Sequence, residues 1–437
     1  MTQCTKELPL FPACKRKNIH LDFTGGCVTS DAGALLLRNA DRKIGLTKAI
    51  DRVLNDPRRQ GSCTHSQLSM LKQRIYGLCL GYEDLNDHQT LRHDIGFQTA
   101  VEAEAALASS ATLCRLENRA NRKMAWEINT IMVETFITSF KKPPKELILD
   151  FDATDDRVHG GQEGRFFHGY YDEYCFLPLY VFCGERLLVS YLRESKIDPA
   201  KHAWAILSLL VKRFRRAWPG VKIVFRADSG FCRWRLMRWC DSHDVKYVIG
   251  IAKNSRLNEA ADEHIEEARK RYEETGQKQR IFADILYGAR TWERERRVIV
   301  KAEHTHLGSN PRYVVTNMDE AAQYLYEELY CARGNMENRI KEQQLDMFSD
   351  RTSCHRWWPN QLRLLLSSLA YVLIETIRRI GLRGTQLARA QCGTIRLKLF
   401  KLGAIVRRNT RRVRFHCSSG YPYQELLFLV AHRLAAG

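Results

Sequence analysis

The sequence lacks paired cysteines, although it contains 14 cysteines in 437 residues. No two of them stand in a C-x-x-C arrangement, and the cysteines and histidines do not have zinc-finger spacing. We therefore expect reduced thiols, as in a cytoplasmic protein, and no structural zinc.

Long hydrophobic runs are also missing. The most hydrophobic segment, residues 362–377, is interrupted by Arg363 and Glu375. It is also shorter than the ~18 apolar residues that a membrane span needs. The first residues do not combine a charged start with an apolar run, so we expect no secretory signal. A membrane partner is not expected.

Acidic residues are too few to balance the basic ones. The chain has 69 Lys and Arg against 50 Asp and Glu, a formal charge of +19, and 44% of its residues are hydrophobic. That hydrophobic fraction is sufficient for sizeable cores and excludes wholesale disorder. The excess of positive charge favours a polyanionic partner, most plausibly nucleic acid.

A proline-containing segment, Lys141-Lys142-Pro143-Pro144-Lys145, separates two parts of the chain that differ in hydrophobic periodicity. Before it, apolar residues recur at helical spacing over 32–50, 65–81 and 124–140. After it, short apolar runs at 147–149, 180–183, 187–192, 222–225 and 247–251 predict strands, and 200–218 and 233–243 predict helices. This order predicts an α/β domain with at least one crossover.

These patterns predict four segments. They are a helical N-terminal domain (1–142), an α/β domain (143–253 and 319–380), a β-containing insertion (254–318) and a basic, mostly helical C-terminal region (381–437).

Acidic residues follow the first predicted strand. Asp150, Asp152, Asp155 and Asp156 would repel one another at neutral pH, and a divalent cation would offset that repulsion. Strand alternation places Asp150 and Asp152 on one face of the sheet. The alternative is a solvated acidic turn, and Asp150, Asp155 and Asp156 suit that role or a supporting one.

Two later segments also carry acids. Asp228 follows the strand at 222–225 and precedes Gly230, either as a ligand at the carboxyl end of a strand or as a helix cap. On a helix, Tyr330, Arg333, Glu337 and Lys341 share one face; the alternative is a solvated face with a Glu337–Lys341 ion pair.

One aspartate from each of the two strand ends, together with Glu337 from the later helix, can supply three oxygen ligands for a pair of Mg²⁺ ions. Two metals about 3.5–4 Å apart activate the attacking oxygen and stabilise the leaving one. This chemistry suits phosphodiesters, which the positive charge of the chain would attract.

These residues resemble the active site of the DDE transposases of bacterial insertion sequences. Asp152 and Asp228 match the two aspartates of the family, and Glu337 matches the third acid within a Y-x2-R-x3-E-x6-K signature. Tyr330 and Arg333 fit this signature, whereas Gln344 stands at the position of its lysine. Further similar stretches are residues 81–92, 160–163 and 401–404.

The resemblance implies that residues 1–142 bind the DNA ends. It also implies that residues 143–253 and 319–380 form an RNase H-like catalytic domain that uses two Mg²⁺ ions, for which Mn²⁺ can substitute. Asp152 would contact both ions, while Asp228 and Glu337 would hold one each. Tyr330, Arg333 and Lys341 would contact phosphate. The implied activity is cut-and-paste transposition by a homodimer: binding of terminal inverted repeats, hydrolytic nicking, then strand transfer by the 3′-OH into target DNA. Such a protein would be associated with the nucleoid.

Other residues are candidates for DNA contacts. A helix capped by Thr112 would carry Arg115, Arg119, Arg122 and Lys123 towards the DNA ends, or would be an ordinary charged surface helix. Clustered arginines typically neutralise phosphates without reading sequence; those in question are Arg407, Arg408, Arg411 and Arg412. A tryptophan can stack on an extruded base; the candidates are Trp234, Trp239, Trp292, Trp357 and Trp358.

Two other functions remain open. One is a transposase-derived DNA-binding regulator without catalysis, and the other is an RNase H-like nuclease that does not transfer strands. The complete set of acids disfavours the first, because an idle site has no reason to retain clustered charge.

Overall fold

The computed structural model describes residues 11–435, so residues 1–10 and 436–437 of the first and last predicted segments lie outside it. The strands are β1 (Phe11–Cys14), β2 (Lys17–Ile19), β3 (Val28–Thr29), β4 (Glu146–Ala153), β5 (Asp156–Arg157), β6 (Phe166–His168), β7 (Glu173–Phe176), β8 (Leu179–Cys183), β9 (Arg186–Tyr191), β10 (Lys222–Ala227), β11 (Lys246–Ile251), β12 (Gln279–Tyr287), β13 (Arg296–Thr305), β14 (Gly308–Ser309), β15 (Arg312–Thr316), β16 (Ala404–Arg408) and β17 (Val413–Cys417).

The α-helices are α1 (Ala34–Ile44), α2 (Leu46–Val53), α3 (Gln67–Leu80), α4 (His88–Leu91), α5 (Ile95–Val101), α6 (Ser110–Glu117), α7 (Arg122–Thr138), α8 (Ala203–Ala217), α9 (Trp234–Ser242), α10 (Ser255–Ala260), α11 (Asp262–Thr275), α12 (Ala322–Tyr324), α13 (Gly334–Lys341), α14 (Trp357–Thr376), α15 (Cys392–Ile395) and α16 (Gln424–Ala435). Short 3₁₀ turns lie at Gln60–Ser62, Ser229–Phe231 and Cys331–Arg333, and π turns lie at Leu325–Tyr330, Glu342–Asp346, Ile377–Gly381 and Arg396–Phe400.

A nine-stranded mixed sheet forms the centre of the molecule. Its order is β12-β13-β15-β11-β10-β4-β8-β9, with β14 paired to β13. The middle strands β4, β10 and β11 run parallel, and antiparallel strands extend the sheet on both sides. These three are the strands predicted at 147–149, 222–225 and 247–251, and the mixed α/β fold confirms the predicted class. Because the middle strands are parallel, their carboxyl ends meet at one edge.

The two faces of the sheet bury different halves of each strand. Leu149 and Phe151 pack with α8 and α9 on one face. Val224 and Val248 pack on the other face, beneath the helical residues that follow α12. Alternation therefore directs Asp150, Asp152 and Arg226 towards this second face, as predicted for the two aspartates.

The strands of the 254–318 segment join this same sheet instead of forming a sheet of their own. β15 pairs with β11, and β13 pairs with both β15 and β12. α10 and α11 precede these strands, and α11 packs against β12 and β13.

The N-terminal helices and the C-terminal region share one hydrophobic core, which includes Leu37, Ile75, Leu365, Phe400 and Val430. α14 has 20 residues, nearly all buried in this core. Within residues 11–435, no helix is long and apolar enough to cross a membrane.

The prediction of a mostly helical C-terminal region is wrong for residues 404–417, which form the β16–β17 hairpin. β-branched residues in both segments favour strands, and β16 is also held by β3, through the Ala404–Thr29 pair. Two segments far apart in the chain, β3 and β16, are thus joined by strand pairing, which local sequence does not reveal.

Candidate active site

The first two acids lie at the carboxyl ends of adjacent parallel strands. Asp152 is the penultimate residue of β4, and Asp228 follows β10 directly. The Asp228 carboxylate accepts a hydrogen bond from the Gly230 backbone N–H at 2.9 Å, so this aspartate also caps the short 3₁₀ turn. Asp228 therefore caps a turn, as the second alternative predicted, and it lies directly after a strand; its role as a ligand stays a prediction.

The third acid lies on a continuous helical run, residues 322–346, that covers this face of the sheet. Glu337 is in the first turn of α13, which begins at Gly334 directly after the 3₁₀ turn Cys331–Arg333. The helical run is therefore not interrupted at Gly334. The run changes from π to 3₁₀ geometry immediately before α13. Irregular turns of this kind are frequent at functional sites.

Arg333 joins the three acids. Its Nη2 lies 2.8 Å from Asp152 Oδ2 and 3.8 Å from Asp228 Oδ2, and its Nη1 lies 2.7 Å from Glu337 Oε1. Carboxylates that are remote along the chain therefore converge on one guanidinium. Glu337 pairs with Arg333 and not with Lys341, which corrects the alternative ion pair considered for this helix. Lys341 is exposed, and no carboxylate in residues 11–435 lies within ion-pair distance of it.

One guanidinium does not neutralise three carboxylates. Burial raises the pKa of Asp152 to about 7; Arg333 opposes this rise, whereas Asp228 and Glu337 add to it. The buried Nε of Arg333 has no hydrogen-bond partner among the described residues. The site thus has excess negative charge and one unused donor.

Tyr330 lies beside these groups. A Cβ atom at position 250 would collide with the Tyr330 hydroxyl and would lie 3.2 Å from the backbone N of Ser229. Gly250 therefore allows the phenol to approach the end of β11 next to Asp228. Burial raises the pKa of Tyr330, so its hydroxyl remains protonated.

Asp150 has a structural partner. It forms a buried, two-pronged ion pair with Arg226, in which Nη2 lies 2.7 Å from Oδ2. The same guanidinium donates a hydrogen bond to the Leu329 carbonyl oxygen. Arg226, in β10, thus connects β4 to the helical run that carries Glu337, a role that sequence reasoning missed.

The remaining acids near β4 have contacts of their own. Asp156 is buried and accepts a hydrogen bond from the Thr352 hydroxyl at 3.0 Å, so it does not belong to a solvated turn. The Asp155 carbonyl oxygen accepts a hydrogen bond from Gln344 Nε2 at 2.9 Å. Gln344, which departs from the signature, therefore ties the helical run to the turn after β4.

The predicted Thr112 helix is wrong in its cap and its length. Ser109 is the cap, because its hydroxyl accepts the Thr112 backbone N–H, and α6 ends at Glu117. Arg115 is exposed on α6, whereas Arg119 follows the helix and pairs with Asp56 at 2.5 Å. The other two cations of the predicted helix open the next one, α7.

The C-terminal arginines lie on the β16–β17 hairpin: Arg407 and Arg408 end β16, and Arg411 and Arg412 occupy the turn. Arg408 donates a hydrogen bond to Gln98 Oε1 at 3.2 Å. Within residues 11–435, none of the four has a carboxylate at ion-pair distance. Their charge is therefore available to a polyanion.

The five tryptophans that were candidates for base stacking are partly buried and pack against the cores. Trp234, Trp239 and Trp292 pack against the core on the α8 and α9 side of the sheet. Trp357 and Trp358 pack against the helical core. Nothing in this packing singles out one of them as a stacking partner for a base.

A divalent cation fits the donor chemistry of the three acids. Among the described residues no three His, Cys, Asp or Glu side chains stand together as a ready-made metal site; the three carboxylates instead share the Arg333 guanidinium. Their oxygens are nevertheless the hard ligands that Mg²⁺ prefers, and the raised pKa of Asp152 shows that its negative charge is undercompensated.

No curated protein matches this sequence. Among solved structures, the chain is similar to one titled a cryo-EM structure of piggyBac transposase synaptic complex with hairpin DNA, at 12% identity and a TM-score of 0.43, over 85% of this chain and 80% of that one. A family model described as transposase DDE domain group 1 matches residues 11–436. The chain therefore belongs to the DDE transposase family, in DDE domain group 1.

Proposed function

We propose that this chain is an active transposase that moves an insertion sequence by cut-and-paste. The observation that carries the proposal is the convergence of Asp152, Asp228 and Glu337 on Arg333, at the carboxyl ends of parallel strands. In this proposal, residues 143–253 and 319–380 form an RNase H-like catalytic domain into which the 254–318 segment is inserted.

Asp152, Asp228 and Glu337 would hold two Mg²⁺ ions, with Mn²⁺ as a substitute. When bound, such ions supply activation of the attacking oxygen and stabilisation of the leaving oxygen. Asp152, whose pKa is about 7, would lose its proton more readily as positive charge approaches. The unused Nε of Arg333 and the protonated hydroxyl of Tyr330 are donors for phosphate oxygens, and Lys341 adds a nearby exposed charge.

The proposed partner is double-stranded DNA, as terminal inverted repeats and then as target, bound by a homodimer at the nucleoid. The positive charge of +19 supports a polyanionic partner. The hairpin arginines Arg407, Arg408, Arg411 and Arg412, together with Arg115 and Arg119, are proposed as contacts; Arg119 would first have to exchange its ion pair with Asp56.

The experiment measures Mg²⁺-dependent cleavage of DNA that carries the inverted repeats. We expect Asp152→Asn, Asp228→Asn and Glu337→Gln each to abolish cleavage and to leave binding to the ends nearly intact. Asp284→Asn is the matched control, because Asp284 is an exposed carboxylate paired with Arg297 on the insertion. A triad variant that cleaves at the wild-type rate would remove that residue from the site.

The two other candidate functions give different results. A regulator without catalysis would bind the ends without cutting them at any Mg²⁺ concentration. A nuclease would cut but would form no strand-transfer product from pre-cut ends, whereas the proposed transposase joins these ends to a second duplex.

A further inference from the structure

A small sheet next to the site exposes several aromatic rings. β5, β7 and β6 form this three-stranded sheet, in which Phe167 pairs with Tyr174. Phe167 is 52% exposed, Tyr174 is 49% exposed, and Tyr170, in the connection between β6 and β7, is 85% exposed. Exposed large apolar groups that cluster in this way mark binding surfaces.

The rings are held in place by one another and by a cation. The centroids of Phe167 and Tyr174 are 5.7 Å apart, and those of Tyr170 and Tyr171 are 5.0 Å apart, both edge-to-face. The Arg165 guanidinium lies over the Tyr174 ring at 4.7 Å. We call Arg165, Phe167, Tyr170, Tyr171 and Tyr174 the aromatic surface.

Lys196 is not part of this surface. Its Nζ is 3.8 Å from the ring centroid of Phe166, which strand alternation turns away from Phe167, and it forms an ion pair with Glu194 at 3.3 Å. Arg165 is the cation that lies among the exposed rings. Such a combination is typical of surfaces that bind nucleic acid strands, because the cation contacts phosphates while the rings stack on bases.

The aromatic surface is close to the acids. β5 begins at Asp156, shortly after Asp152 at the end of β4. Gln344 holds the intervening turn to the helical run that carries Glu337. Burial raises the pKa of Tyr171, and the negative charges of Asp155 and Asp152 raise it further, as expected for a phenol near these carboxylates.

We propose that the aromatic surface binds unpaired nucleotides of the DNA strand that leads to the scissile phosphate. The bases would stack on Tyr170 and on the Phe167–Tyr174 pair, and Arg165 would contact the backbone. Bases inside a duplex are covered by their neighbours, so exposed rings favour an unpaired segment. The place of this surface in the reaction rests on the proposed function, whereas the binding itself does not.

The test uses the full-length protein in EDTA, so that no cleavage occurs, and a short single-stranded oligonucleotide that contains 2-aminopurine. Stacking on an aromatic ring quenches this fluorophore. We expect Tyr170→Ala to weaken binding by about tenfold or more and to relieve the quenching, while Tyr170→Phe retains both. Arg165→Gln should flatten the salt dependence by about 0.7 in logarithmic slope.

Tyr324→Ala is the matched control, because Tyr324 is 52% exposed on α12, which packs against β12 of the insertion. Unchanged affinity and quenching in Tyr170→Ala would overturn the proposal, as would equal losses in the Ala and Phe variants. The oligomeric mass of Tyr170→Ala without DNA is compared with that of the wild type. If this mass changes while oligonucleotide binding does not, the surface contacts a second copy of the chain, and the proposal is overturned.

The two proposals fail in different ways. Wild-type protein that binds and quenches the oligonucleotide but never cleaves DNA ends in Mg²⁺ would contradict the proposed transposase and leave the aromatic surface standing. Protein that cleaves and joins ends normally but does not bind the oligonucleotide would do the reverse.

Discussion

Replacing Asp152 with asparagine should stabilise the protein when no divalent cation is present. The Asp152 side chain is buried against Arg333, and Asp228 and Glu337 add negative charge nearby. Asparagine has almost the same shape and can still accept a hydrogen bond from Arg333, but it has no charge to desolvate. A residue that is required for chemistry would thus reduce the stability of the fold.

The expected gain follows from the pKa of Asp152, which is about 7 against an ordinary value of 3.8. The folded state holds this proton more tightly than the unfolded state, so the cost to stability appears as the pH rises from about 4 to 7 and is complete above 7. The cost is about 4 kcal/mol at pH 8 and about 2 kcal/mol at pH 5.5. Asp152→Asn should recover most of it.

The assay is urea denaturation of the wild type and of Asp152→Asn in EDTA at pH 5.5 and pH 8, followed by tryptophan fluorescence. The variant should be the more stable at both pH values, with the larger advantage at pH 8. Adding Mg²⁺ at pH 8 should stabilise the wild type, because a ligand that binds only the folded state shifts the equilibrium, and should have little effect on the variant.

Asp284→Asn controls for the loss of a carboxylate elsewhere, since Asp284 is exposed on β12 and paired with Arg297. It should show neither the stabilisation nor the altered response to Mg²⁺. If Asp152→Asn were less stable than the wild type at pH 8, or if its advantage did not grow with pH, the electrostatic account of this site would be refuted.

Three further predictions concern residues around the site and on the C-terminal hairpin. Arg226→Met should lower the free energy of unfolding by about 3–5 kcal/mol, because Asp150 would remain buried without its partner; urea denaturation measures this, and a loss below 1 kcal/mol would contradict it. Gln344→Ala should cost about 1 kcal/mol for one hydrogen bond, in the same assay, and an unchanged midpoint would mean that this bond does not stabilise the fold. Arg407→Ala combined with Arg408→Ala should flatten the salt dependence of DNA binding by up to about two units of logarithmic slope, and an unchanged slope would show that these arginines do not touch DNA.

Local patterns in the sequence were sufficient to predict the parts of the site. Alternation along β4 placed Asp150 and Asp152 on one face, as the structure shows. Helical spacing placed Arg333 and Glu337 together, and they form an ion pair. Such patterns are readable because each secondary structure repeats its side-chain directions over a few residues.

The partners of these residues could not be read from the sequence. Asp150 and Asp152 look alike in the chain, and only Arg226, brought alongside β4 by parallel pairing, separates the structural acid from the one at the site. Ser109 and Thr112 are similar helix caps, and the geometry of one turn selected Ser109.

The positions of the central strands, the acidic residues and the positive charge of this protein can be read from the sequence, because these depend on residue type and short-range period. The strand ends cannot, since β4 continues to Ala153 beyond the predicted 147–149. Tertiary packing determines which carboxylates converge, that Arg333 lies between them, and which aromatic rings lie near them. Those contacts depend on strand register and helix packing between segments far apart in the chain, and no local pattern encodes them.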